Sequence, residues 1–301
     1  MTNQSKKLLL VGDNPFHGIS HLSQERARAR GGEIDHAEYA AKLVATSLEN
    51  GASGFMFSVS DKTLSTLQII REKTGSMCPA LYAIVPYAYE YVRLATQLGT
   101  VGLAKKLAKQ VVLSGNLRAI MTGLHGIVRM DPVAFMKTYL IYEISRIRSS
   151  AGKRQNLDSV LLHEVITDMA LALDLDWLFK SCVHFIGELG IKPGFETRNF
   201  AYLVNRFKEW NLDFSEIIIA APFNKIGFQM NPSRVECEKA LAEVPESNVI
   251  AMSVLAAGYL KLPEAIEYIG GLSNIKGVVV GVSKEKHAYE TFRVLKERLE
   301  A

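Results

Sequence analysis

Eight short apolar runs, rich in β-branched and aromatic residues, recur along the chain at 8–11, 54–59, 81–86, 159–165, 194–197, 216–221, 249–254 and 277–282. Runs of that length with little polar alternation are expected of parallel strands buried on both faces. Between them, apolar residues return at helical spacing over 37–49, 64–73, 176–189, 200–210 and 234–242. In the last of these Val235, Ala240 and Leu241 are the apolar residues read as helical spacing, and Glu236, Glu238 and Lys239 are polar.

Strand–helix alternation repeated eight times predicts either a closed (β/α)₈ TIM barrel or an open doubly wound sheet. Two features favour closure: the count is eight, and a helix over 287–299 follows the last strand. No G-x-G-x-x-G fingerprint follows the first strand, which removes the usual signature of the open sheet. The expected architecture is therefore α/β, one TIM-barrel domain over 1–301.

The alternation breaks once. After Pro86 about 70 residues intervene before the fourth strand, and residues 88–155 read as a helical insertion broken at Gly99, Gly115, Gly123 and Pro132. Because it follows a strand, such an excursion leaves from the C-terminal mouth of the barrel. The segment holds 11 Lys/Arg against 3 Asp/Glu, about +8, in a chain of net charge +4. Lys105, Lys106, Lys109, Arg118 and Arg129 make it either a lid that draws in an anionic substrate or a solvated arm for homo-oligomer contact.

Composition sets the outer limits. Hydrophobic content of 48% and charged content of 22% are those of a globular protein. No apolar run reaches the length of a membrane span, and the run after Lys7 is too short for a secretory signal. Cys78, Cys182 and Cys237 share no close spacing, which fits neither a disulfide framework nor a zinc motif and suggests a cytoplasmic location. The basic excursion lacks interleaved aromatics, so no nucleic-acid partner is expected; the expected partner is a small-molecule substrate.

Candidate chemistry lies where barrel strands end. After strand one come Asp13, Asn14, His17 and His21, polar residues directly following a buried run. They read as substrate contacts or a share of a metal site, or else as a turn cap with surface histidines. Strand four brings His163 and Glu164, a candidate acid–base pair because imidazole titrates near neutrality. Strand five ends in Glu196, Thr197, Arg198 and Asn199, where Glu196 and Arg198 either pair structurally or contact a ligand, and the loop after strand six holds Asn224 and Gln229, candidate hydrogen-bond donors to an uncharged ligand group. Strand eight ends in Gly281 and Ser283 before a helix start, a prospective phosphate site or a plain N-cap. Asp13, His17, His163, Glu164 and Glu196 are also the residues that would share a divalent metal, although no spaced metal motif is present.

From about Asp158 onward the chain resembles the aldo-keto reductases, which are NADP(H)-dependent barrels. The resemblance rests on Leu161-Leu162-His163, on Gly194-Phe195-Glu196-Thr197-Arg198-Asn199-Phe200, and on Pro222, Asn224, Gln229, Asn231 and Pro232. It continues through 249–260 with Ser253, Leu255 and Gly258, and closes with Gly281, Ser283 and His287. It implies that His163 sits beside a reacting carbonyl and that Asn199 and Gln229 contact a nicotinamide. It further implies that Ser253, Leu255, Gly281, Ser283 and His287 run along the cofactor. The first half departs from that pattern: the tyrosine expected after strand two and the lysine on strand three are missing. Asp61 is the acidic residue nearest the expected place, and Tyr82 and Tyr87 are the nearby phenols. Three readings stay open: an NADP(H)-dependent oxidoreductase, a non-redox lyase, isomerase or hydrolase using acid–base groups or a metal, and a non-catalytic binding protein.

Overall fold

The computed structural model describes residues 6–17, 36–73, 79–86, 97, 105–106, 109–116, 118–123, 131–152 and 155–299. Its eight strands are β1 Leu8–Gly12, β2 Gly54–Ser58, β3 Ala80–Val85, β4 Leu157–Leu162, β5 Lys192–Glu196, β6 Ile218–Pro222, β7 Asn248–Met252 and β8 Ile275–Gly281. Each pairs in parallel with the next, and β8 returns to β1, so the sheet closes as the expected TIM barrel. The register Leu8↔Gly277 through Gly12↔Gly281 seals the seam.

Side chains alternate between two apolar layers, as the two-residue period of a strand requires. Leu10, Met56, Tyr82, Ile84, Leu161, Ile218, Ala220 and Ile250 fill the barrel interior. The alternate positions, among them Leu9, Val11, Phe55, Phe57, Val160, Leu162, Phe195 and Ile219, pack outward under the helices. Gly194 has a steric reason: a Cβ there would stand 2.6 Å from Leu161 Cγ, so the interior accepts the leucine only because β5 carries no side chain opposite it.

Among the described residues the helices of nine residues or more are α1 Ala37–Glu49, α2 Asp61–Lys73, α3 Pro132–Ala151, α4 Glu164–Ala172, α5 Asp176–Glu188, α6 Phe200–Glu209, α7 Arg234–Ala242, α8 Leu262–Gly270 and α9 Glu285–Leu299. α6 shows why they dock. Its Phe200, Leu203, Val204 and Phe207 form one buried face, and Phe207 meets Phe179 and Phe195 at centroid distances of 5.2 and 5.3 Å. Burying one such phenylalanine contributes roughly 1.5–3 kcal/mol. α3 starts where its sequence says it should: Asp131 accepts the Val133 amide at 2.9 Å and Pro132 occupies the first turn.

Most boundaries lie one to three residues from the sequence pattern, and three of the differences have a local cause or bear on the site. The fourth strand, expected over 159–165, runs Leu157–Leu162, and Val165 already belongs to α4. An apolar run that continues into an apolar helix carries no periodic mark at the junction. Glu216, expected at the start of strand six, lies in a 3₁₀ turn, Phe214–Glu216. The last helix begins at Glu285 rather than His287. Of the expected insertion over 88–155, the described parts at 109–113 and 118–123 are helical, and α3 completes it. Arg129, His21, Tyr87 and Cys78 lie outside the described residues. Cys182 and Cys237 are buried free thiols, and no described helix is long and apolar enough to cross a membrane.

Candidate active site at the barrel mouth

The polar residues that the sequence places at strand ends fall into three groups. The first closes β1 onto β2. Directly after β1, Asp13 is 4% exposed, and its Oδ2 accepts the Ser58 amide at 2.7 Å and pairs with His17 Nε2 at 3.0 Å. Phe16 N–H donates to the Asp13 carbonyl, winding the 3₁₀ turn Asn14–His17, and Lys62 Nζ donates to the Phe16 carbonyl. Asn14 is exposed on this turn. Pro15 lies against Gly281: a Cβ on that glycine would come within 2.7 Å of Pro15 Cδ. The glycine at the end of β8 therefore admits the β1 turn to the mouth.

The second group joins β4 and β5. Leu161 faces the interior, so His163, two residues on, continues the same side of the strand. It is 6% exposed and caps α4, its Nδ1 accepting the Val165 amide at 3.2 Å. With Nδ1 an acceptor, the proton of the neutral ring is assigned to Nε2. Burial pulls the His163 pKa below its ordinary 6.5, with Arg198 adding to the effect and Glu164 and Asp13 opposing it. The ring is then a neutral N–H donor near pH 7.

Glu196, at the end of β5, pairs with Ala220 of β6 on the inward side. Its Oε2 accepts the Glu164 amide at 3.3 Å. Enclosure by protein raises its pKa from 4.5 to about 8; the charges of Glu164 and Asp13 push the same way, and the amide bond and Arg198 push back. The side chain keeps partial surface at the mouth. Glu164 is held differently: its two oxygens take Arg198 Nε and Nη2, each at 2.6 Å, a bidentate pair. Two carboxylates thus stand side by side, one paired with a guanidinium and the other pushed by burial toward its protonated form.

A residue the sequence reading passed over organises this corner. Asp168, one turn after Glu164 on α4, accepts Thr197 Oγ1 at 2.5 Å, Asn199 Nδ2 at 2.9 Å and the Arg198 amide at 3.3 Å. Asn199 N–H in turn donates to Thr197 Oγ1 at 2.9 Å. Burial raises the Asp168 pKa, and those three hydrogen bonds work against the rise. The available signal was two acids spaced i, i+4 at the start of the helix that follows strand four. Asn199, implied by resemblance to contact a nicotinamide, has its amide committed to Asp168.

The third group follows β6, β7 and β8. Asn224 is fully buried, and its amide closes its own loop, Oδ1 accepting Phe228 N at 2.8 Å and Nδ2 donating to Phe228 O at 2.9 Å. Gln229 and Ser253 both hold left-handed backbone, φ 60° and 51°, and their side chains meet at 3.5 Å. Ala256 and Ala257, after Leu255, share that uncommon conformation, φ 45° and 58°. Non-glycine residues there store strain, and such strain gathers at functional loops. Ser283 accepts Tyr39 Oη through its carbonyl at 3.5 Å, and His287 is exposed in the first turn of α9.

Two sequence candidates lie apart from these groups. The Asp61 side chain is 90% exposed and pairs with Arg146 of α3 at 2.5 Å. Tyr82 is in register with Met56 and Ser159, one interior layer below Ile84. Its phenol is raised to about 12 by burial and by Asp158, at the opposite end of β4 from His163. Among the described residues no three His, Cys, Asp or Glu side chains gather as a metal-ligand group.

No family model matches the chain, and no curated protein matches it. The fold is similar to that of aldo-keto reductases. Two solved structures from Pseudomonas aeruginosa, both assigned to those enzymes, align over 99% of this chain, with TM-scores of 0.60 and 0.59, 11% and 10% identity, and 94% and 93% of their own lengths covered. The aldose reductase of Schistosoma japonicum aligns over 95% of this chain and 82% of its own, with a TM-score of 0.51 and 10% identity.

Proposed function

We propose that this chain is an enzyme acting on the carbonyl of a small polar or anionic molecule at the barrel mouth. Glu196 is its general acid, and His163 is the neutral donor that polarises the carbonyl oxygen. The observation that carries this reading is the contrast at the end of β5: Glu164 is held by a bidentate Arg198, whereas the inward-facing Glu196 accepts a single amide and has no cation of its own among the described residues, a setting in which burial raises its pKa. A carboxylic acid poised near neutrality, on the same side as an imidazole N–H, is a proton-donating site.

In its oxidoreductase form the reaction takes hydride from NADP(H). The donor set at the ends of β6, β7 and β8 fits such a group: the Gln229 amide and Ser253 hydroxyl face one another, and Ser283 and His287 stand at the start of a long helix. Leu255 follows Ser253 in the same loop. When bound, the cofactor supplies a hydride to the carbonyl carbon. The chain's own part is to hold the oxygen with His163 Nε2–H and to pass the Glu196 proton to it as the alkoxide forms. That assignment gives Glu196 the task a phenol would otherwise perform, and it leaves Tyr82, deep in the interior, with a packing role.

A second reading keeps the same acid and omits the redox step: a lyase or isomerase moving a proton next to the carbonyl. Commitment of the Asn199 amide to Asp168 favours it, because one expected nicotinamide contact is then spent on structure. Fluorescence titration with NADPH separates the two. Saturable one-to-one binding, weakened in Gln229→Ala, supports the oxidoreductase. Absence of binding at millimolar cofactor removes it and leaves the proton-transfer reading.

A further inference from the structure

Away from the mouth, a cavity of about 460 Å³ opens between the helical residues 118–123, α3 and α5, and its described lining includes no strand residue. Its volume is within the range of small-molecule sites. Phe185, 3% exposed, forms part of the wall, and Val133, Ala134 and Ile141 of α3 extend the apolar surface. Two cations converge on the same ring: Lys137 Nζ is 5.4 Å and the Arg118 guanidinium 5.9 Å from its centroid.

The charge balance is what makes the cavity informative. Neither Arg118 nor Lys137 has a carboxylate partner among the described residues. Both acids that line the cavity are turned to other groups: Asp131 caps α3 through the Val133 amide, and Glu188 pairs with His184 at 3.3 Å. The cations lean on one aromatic quadrupole, which attracts them without neutralising them. An apolar wall with two cations that form no ion pair with any described carboxylate is complementary to an anion that carries an apolar body.

We propose that this cavity is a second binding site, separate from the barrel mouth, for a small organic carboxylate. The carboxylate lies between Arg118 and Lys137, and the apolar body rests against Met121 and Val133, above the buried Phe185, Ala134 and Ile141. The inference is independent of the reaction assigned to the mouth, since it uses no residue from there. It also gives part of the basic charge of 88–155 a local purpose.

The test is calorimetric titration of the full chain with benzoate, its neutral analogue benzamide, and inorganic phosphate, with amide chemical shifts followed in parallel. The expected result is saturable benzoate binding that shifts amides of α3 and α5, with benzamide and phosphate each weaker by about tenfold or more. The double variant R118A/K137A loses about tenfold in benzoate affinity and K137Q loses less, while His163→Ala leaves it unchanged. Shifts confined to strand ends, equal affinity in the double variant, or no saturation up to about 50 mM benzoate would each overturn the proposal. Phosphate binding as tightly as benzoate would overturn the role of the apolar wall.

Discussion

Replacing Glu196 with glutamine removes one titration and nearly preserves shape, so it isolates what the raised pKa does. The unfolded chain ionises this carboxyl near 4.5, whereas the folded chain keeps its proton to about 8. Between those values the folded state binds more protons, so this group favours folding at low pH. Its contribution falls as pH rises above 4.5 and levels off above about 8. The slope is about 1.4 kcal/mol per pH unit, giving a ceiling of about 5 kcal/mol across the interval, lowered by whatever water reaches the carboxyl at the mouth. Glutamine is neutral in both states and loses nothing with pH. Urea denaturation of both proteins from pH 4.5 to 9 is the assay, with the m-value checked for constancy. The stability gap should widen in favour of Glu196→Gln through this window and then stop growing. Curves that stay parallel would mean that Glu196 ionises normally, and the general-acid assignment would fall with that result. If the curves diverge as expected, the variant should also turn over carbonyl substrates at least about 100-fold more slowly, because its amide has no proton to give.

Three further outcomes follow from the same geometry. His163, with its pKa lowered by burial, should remain neutral at pH 6.5; its stability contribution is present above 6.5 and is lost as pH falls below. A ring-nitrogen NMR titration with a midpoint at or above 6.5 would refute this. Asp168→Ala strands the Thr197 hydroxyl and the Asn199 amide, and should cost roughly 3 kcal/mol in urea denaturation; a change under about 0.5 kcal/mol would show that the β5 turn stands without it. Gly281→Ala drives a methyl against Pro15 and should cost about 1–3 kcal/mol while displacing the Asn14–His17 turn, read as a fall in Tm and altered Asn14 amide shifts.

The barrel was legible because parallel strands buried on both faces are written as bare apolar runs, and eight of them with a closing helix leave little else to build. α1 and α7 match their predicted bounds for different reasons: α1 carries an amphipathic stripe, whereas α7 is fixed at its start by Ser233, whose hydroxyl accepts the Glu236 amide at 3.2 Å. The end of strand four was not legible. His163 terminates the strand by turning its own ring nitrogen onto the next turn, an act that composition does not mark, and the apolar residues of α4 then extend the run. The candidate site was readable as a list of strand ends, but not as partnerships. That adjacent His163 and Glu164 face differently, with one of them bridging to a neighbouring strand, follows from strand alternation, but the partner Arg198 does not, and Asn224, polar and well placed in sequence, spends its amide on its own loop.

What decides the chemistry of the mouth is therefore the distribution of partners more than the set of polar residue types. Three acids face or border it. Asp13 is tied to Ser58 and His17, Glu164 to Arg198, and Glu196 to a single amide. α4 produces this inequality. It presents Glu164 and Asp168 one turn apart, takes Arg198 with the first, and pins Thr197 and Asn199 with the second. The one cation of the β5 turn is drawn to Glu164, so Glu196 is left to solve its burial by protonation. A charge-removing change at Glu164 consequently tests the arrangement from its other side. In Glu164→Gln the guanidinium loses its carboxylate and the repulsion on Glu196 disappears together, and both effects lower the Glu196 pKa. The pH window over which stability declines should then narrow from its upper end, and an unchanged window would show that burial alone sets the proton.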